Sequence, residues 1–71
     1  MEQNELLELV AEILEIDSVQ PTDDLVDKGW DSLSNLTFIA EVDERVGVPV
    51  DAEELTRAVT VSDLLPLTRG S

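Results

Sequence analysis

Ser32, in the run Gly29-Trp30-Asp31-Ser32-Leu33, is the residue with which this chain could do chemistry. It stands where a polar, proline-containing stretch gives way to an amphipathic pattern, so its hydroxyl is carried at a loop-to-helix junction. Asp31 is a good N-cap, because a carboxylate there accepts from amides that the first helical turn leaves without partners. The same amides favour an anion, which suits a phosphate held covalently on Ser32. The chain has no Cys and no His, which excludes a cysteine nucleophile, a Ser-His triad and the usual thiolate or imidazole zinc sites. Any thioester chemistry must use a borrowed thiol. Asp23, Asp27 and Asp31 cluster in sequence, but Leu25 falls at a ligand position of a calcium loop and Lys28 where that loop needs glycine. No metal site is expected.

The elements that must position Ser32 are helices. From Asn4 to about Leu14, apolar residues at Leu6, Leu7, Leu9, Val10, Ile13 and Leu14 alternate with Glu5, Glu8 and Glu12 at helical spacing. Glu15 to Trp30 is a connection longer than the roughly 4–6 residues usual in compact domains, with Ile16, Val19, Leu25 and Val26 available to tack it down. Pro21 biases Gln20 toward an extended conformation, Thr22 is placed to cap a short turn through Leu25 and Val26, and Gly29 supplies backbone freedom for a tight approach to the next helix. After Ser32, the pattern assigns Leu36, Phe38, Ile39, Val42 and Val46 to the core face and Ser34, Thr37, Glu41 and Glu44 to the opposite one, with Leu33 and Ala40 on the shoulder between. Trp30 reads as a half-buried plug between loop and bundle.

Glu41 and Arg45 are four apart, the spacing of a surface pair, and Gly47 is a natural helix stop. Val48-Pro49-Val50 reads as an extended link. Asp51 with Glu54 then starts a short helix that contacts the core through Leu55 and Val59. Thr60 with Asp63 repeats the signature for a last segment carrying Val61, Leu64, Leu65 and Leu67, which Pro66 ends or kinks. Arg69-Gly70-Ser71 carries no structural signal. The expected fold is all-α: a small four-helix bundle with a long first loop and a short third helix, one domain over residues 1–71 with its folded core at about 4–67.

Composition bounds the partners. Four basic residues against seventeen acidic ones give a net charge of −13, which disfavours nucleic acid and anionic membrane surfaces and makes basic protein patches the natural complement. Apolar runs fall well short of the roughly 20 residues that span a bilayer, and the acidic N-terminus lacks the basic region of a signal peptide, so a cytoplasmic protein is expected. A core of this size supplies only about 3–5 kcal/mol, with nothing to staple it.

The Gly29-x-Asp31-Ser32-Leu33 core, the amphipathic helix after it, the Gly47-x-Pro49 break and two short capped helices together resemble an acyl carrier protein, from about Leu6 to Leu67. The resemblance implies that Ser32, flanked by Asp31, carries a 4′-phosphopantetheine arm transferred from coenzyme A by a separate Mg²⁺-dependent phosphopantetheinyl transferase. The arm would supply the missing thiol. Acyl groups then ride as thioesters on a non-catalytic, monomeric carrier that presents them to acyl-loading and acyl-processing enzymes. The family also implies docking of basic enzyme patches on the exposed side of the serine-bearing helix, at Leu33, Thr37, Ala40, Glu41 and Glu44.

Ser34 and Thr37 stand where carriers of primary fatty-acid synthesis usually have acidic residues, and Ala40 where they often have a larger apolar one. Those departures point toward polyketide or related specialised biosynthesis. Asp31 leans toward acyl rather than aminoacyl cargo. An aminoacyl or peptidyl carrier remains an alternative, as does an acidic interaction module without a prosthetic group, in which Ser32 only begins a helix.

Overall fold

The computed structural model describes residues 1–69, so of the tail only Arg69 falls within it, while Gly70 and Ser71 lie outside the described residues. Three α-helices form, α1 (Gln3–Leu14), α2 (Ser32–Val46) and α3 (Ala52–Arg57), together with 3₁₀ turns at Val26–Lys28, Val61–Leu64 and Pro66–Thr68. The last two turns occupy the place of the fourth helix. Among the described residues there is no strand, only an isolated antiparallel bridge between Asp24 and Thr60. The expected all-α bundle with a long first loop and a short third helix is therefore the fold observed.

The core collects Leu6, Leu9 and Val10 from α1, Val19 and Leu25 from the first loop, Phe38 and Val42 from α2, then Val50, Leu55, Val61 and Leu64. The ends of α2 and α3 and the start of the last turns are closed as the sequence suggests. Asp51 accepts from the amides of Glu53 and Glu54, Thr60 and Asp63 form a reciprocal capping box, and Gly47 ends α2 in the left-handed region at φ 68°.

The long loop is tacked differently from expectation. Val19 and Leu25 are buried, but Val26 is 78% exposed and Ile16 is exposed as well. Backbone bonds do the remaining work: the Leu25 amide donates to the Val59 carbonyl at 2.9 Å, Val61 to Asp23 at 3.0 Å and Ser62 to Pro21 at 2.9 Å. These tie the loop to the segment after α3 and hold Val59 by its backbone, which explains why its side chain is exposed instead of reaching the core. Asp24, rather than Thr22, caps the turn before Ser32, accepting from the Val26 amide at 3.0 Å.

The wheel for α2 also needs correction. Leu36 is 65% exposed and Ser34 is buried. Residues two apart on an α-helix point about 200° away from each other, so once Phe38 and Val42 enter the core Leu36 must face out. Ser34, four residues before Phe38, faces in. Pro66 neither ends nor kinks a longer helix: it stands first in a new 3₁₀ turn, where its missing N–H is not needed, and the turn carries Thr68 into the core with its hydroxyl donating to the Leu65 carbonyl at 2.7 Å.

Candidate functional site

Ser32 is the first residue of α2 and is exposed. Its position is fixed from both sides. On the helix side, Oδ1 of Asp31 accepts from the Ser34 amide at 3.0 Å and from Ser34 Oγ at 3.1 Å. The bond from the Ser34 amide, reinforced by its hydroxyl, holds the Asp31 carboxyl below its ordinary range, so the cap is anionic at neutral pH. On the loop side, the Trp30 amide donates to the Leu25 carbonyl at 3.0 Å, closing the turn that delivers the motif.

Gly29 lies at φ 92°, a conformation that side chains rarely adopt, yet a Cβ there would meet nothing within 4 Å. Its role is conformational freedom and not the close approach the sequence suggested. Trp30 is half-buried, as expected of a plug. Its indole N–H donates to Asn35 Oδ1, and its ring meets Phe38 edge-on, with centroids 5.9 Å apart. Sequence reasoning did not single out Asn35, and it placed Ser34 on the outer face instead of beneath the Asp31 cap. Ser34 could have been found by phasing the helix on Phe38, whereas nothing in the sequence marks Asn35 as the partner of Trp30.

Two clefts flank Ser32. Between α2 and α3 lies a small one of about 220 Å³, lined by Ser32 itself with Leu25, Val26, Trp30, Asn35 and Leu55 among others. On the opposite side, between the end of α1 and the start of α2, an open cleft of about 440 Å³ is lined by Ile13, Leu14, Glu15, Lys28, Leu33 and Thr37 among others. Asp31 borders both.

Of the residues suggested for docking, Leu33 (70% exposed), Thr37, Ala40 and Glu44 share the outward face of α2, and Leu36 joins them. Glu41 is different. It is half-buried and accepts from Arg45 Nε at 3.0 Å, while Arg45 also reaches Glu12 on α1 at 3.2 Å. The paired carboxylates, Glu41 foremost, raise the Arg45 pKa further. Among the described residues no group of three or more acidic side chains is arranged to hold a metal ion, and no helix is long and apolar enough to cross a membrane.

This geometry gives an accessible hydroxyl held at a fixed junction, with no acid–base partner for it among the described residues, which suits a residue modified by another enzyme. A covalent phosphopantetheine fits: the serine is exposed and open clefts stand on either side of it.

Comparison with known proteins agrees. The family described as phosphopantetheine attachment site matches residues 4–65. Among solved structures, the chain is similar to that of BlmI, described as a type-II acyl-carrier-protein from Streptomyces verticillus involved in bleomycin biosynthesis, with a TM-score of 0.77 and 26% identity over 92% of this chain and 75% of that one. No curated protein sequence matches it.

Proposed function

Because the chain belongs to the phosphopantetheine-attachment family, as a non-catalytic acyl carrier protein, we propose that Ser32 is its attachment residue and that it holds acyl intermediates as thioesters for polyketide or related specialised biosynthesis. The carrying observation is the exposed serine at the head of α2, fixed by the Asp31 cap inside the matched span. When bound, the arm supplies the thiol that this chain lacks. The chain's own residues present it: Asp31 and Ser34 hold the junction, and Trp30 with Asn35 fixes the loop behind it.

The partners are a phosphopantetheinyl transferase and biosynthetic enzymes. On our reading these enzymes bring basic patches to the outward face of α2, where Leu33, Thr37, Ala40 and Glu44 stand together, and the carrier works as a cytoplasmic monomer formed by one domain, residues 1–71 with its core at 4–67. The likeness to a carrier involved in bleomycin biosynthesis supports a specialised pathway.

Incubating the protein with coenzyme A, Mg²⁺ and a promiscuous phosphopantetheinyl transferase should add the mass of one phosphopantetheine, and Ser32→Ala should abolish the gain. A folded sample that gains nothing, or a gain that survives Ser32→Ala, would overturn the assignment of Ser32.

A further inference from the structure

The loop-side anchor of Ser32 is the bond from the Trp30 amide to the Leu25 carbonyl, 3.0 Å, and it ends a chain of bonds that starts beyond α3. The Lys28 amide shares that carbonyl at 3.1 Å, and the N–H of the same peptide plane, that of Val26, donates to Asp24 Oδ1 at 3.0 Å. Leu25 is also held from behind. Its own amide donates to the Val59 carbonyl at 2.9 Å, and the N–H of that peptide plane, belonging to Thr60, donates to Asp63 Oδ2 at 3.0 Å. The Val59 amide reaches the same carboxylate oxygen at 2.9 Å. Resting on the reading of Ser32 as the attachment residue, we propose that Asp63 is a positioning residue for its modification: through the Val59–Thr60 and Leu25–Val26 peptide planes, its carboxylate sets the turn that presents Ser32 to the transferase.

Three observations carry this. First, bonds at the two ends of one peptide plane strengthen each other, because a carboxylate drawing on the N–H makes the carbonyl at the other end a better acceptor. Asp63 thus fixes both the direction and the strength of the bond that Leu25 makes. Bonds from the Thr60 and Val59 amides hold its carboxyl below the ordinary range, so it is anionic at neutral pH.

Second, side-chain packing does not orient this plane. Val59 is exposed, and so is Val26 on the loop opposite, so the meeting of the two segments rests on polar bonds at that point. Leu25 and Val61 are buried beside it, and the Val61 amide keeps its own bond to Asp23 at 3.0 Å. Removing the Asp63 carboxylate therefore frees the Val59–Thr60 plane to turn without opening the core. Third, the consequence falls on the serine. Trp30 is two residues before Ser32, and a group misplaced by about 1 Å at a reacting centre can cost on the order of 100-fold in rate.

Amide hydrogen exchange on the apo protein, measured beside the rate of loading by a phosphopantetheinyl transferase, tests this. In Asp63→Ala the Leu25 and Trp30 amides should exchange about fivefold faster or more relative to the Val42 amide inside α2, and kcat/KM for loading should fall by about threefold or more. Asp63→Asn, whose side-chain carbonyl can accept from the same amides, should restore both. Asp51→Ala removes the cap of α3, which has no bond to the loop, and should leave both near the parent values. Uniform acceleration at Leu25, Trp30 and Val42, or the same losses in Asp51→Ala, would make Asp63 a stabilising cap and nothing more. Parent-like loading of Asp63→Ala would overturn the proposal as well. A parent protein that gains no mass is a separate failure: it removes the attachment reading, and this one with it.

Discussion

At the scale of single residues, Asp31 sets the geometry of the site. Its carboxylate organises the first turn of α2 through two bonds to Ser34, and Asp63 does the same before the last turns by accepting from the amides of Val59 and Thr60 at 2.9 and 3.0 Å. Backbone bonds, from Ser34 for Asp31 and chiefly from Thr60 for Asp63, hold both carboxyls below their ordinary 3.8. A depressed carboxyl contributes stability that is fully present above its unfolded pKa and is lost as pH falls through the folded one. Helix content should therefore hold down to about pH 4 and fall below it, and Asp31→Ala should lower the melting temperature at neutral pH while weakening its acid dependence, as circular dichroism would read. A melting curve in Asp31→Ala that matches the parent at neutral pH would mean the cap contributes nothing. The two glutamates suggested for docking also separate at this scale. Glu44 is exposed, whereas Glu41 is engaged with Arg45, so Glu44→Lys should slow association with a basic partner enzyme and reduce its salt dependence with little change in melting. Glu41→Lys should instead destabilise, since it sets a second cation against Arg45 where a carboxylate joined the network to Glu12.

At the scale of the element, α2 decides what the molecule buries and what it offers. Phe38 and Val42 face in, and Leu33, Leu36 and Ala40 face out, so one helix supplies both core and the face proposed for docking. Leu33→Ala and Leu36→Ala should each change stability by no more than about 0.5 kcal/mol, while Phe38→Ala, at full burial, should cost about 3–5 kcal/mol. Denaturant unfolding separates the cases, and the two leucine variants should speed dissociation from a partner enzyme. A large destabilisation in Leu33→Ala would place it in the core and remove it from the docking face. Much of this was legible in the sequence. The caps at Asp31, Asp51 and Thr60, the stop at Gly47 and the spacing of α1 are local chemistry, read from residues within one turn of each other. What was not legible depends on partners far along the chain: Leu36 was assigned inward because apolar residues surround it, and only the packing of Phe38 fixes the phase of the helix. Val59 and Val26 were likewise taken for core contacts, because the backbone pairing that holds the loop to the segment after α3 leaves no pattern in the side chains.

At the scale of the whole molecule, a net charge of −13 is spread over a chain of 71 residues, and few cations are placed to offset it. Arg45 bridges Glu12 and Glu41, and Lys28 makes a long contact to Asp23. These pairs are largely exposed and each is worth at most about 1 kcal/mol, so most of the repulsion stands uncompensated against a core that supplies only about 3–5 kcal/mol. Screening should then stabilise. At low ionic strength the Debye length is about 30 Å, longer than the molecule's greatest extent of 27 Å, so every carboxylate feels every other; at 0.15 M it falls to about 8 Å and only near neighbours interact. The melting temperature should rise with NaCl over this range, rise further with millimolar Mg²⁺, and rise on mild acidification from pH 7 toward about 5 before the capping carboxylates titrate and reverse the trend. The two pH effects have opposite signs: loss of negative charge relieves repulsion, whereas the helices loosen when the depressed pair at Asp31 and Asp63 gains protons. A melting temperature that is flat across salt would show that the repulsion is already balanced within the fold, and the acid limb alone would then remain.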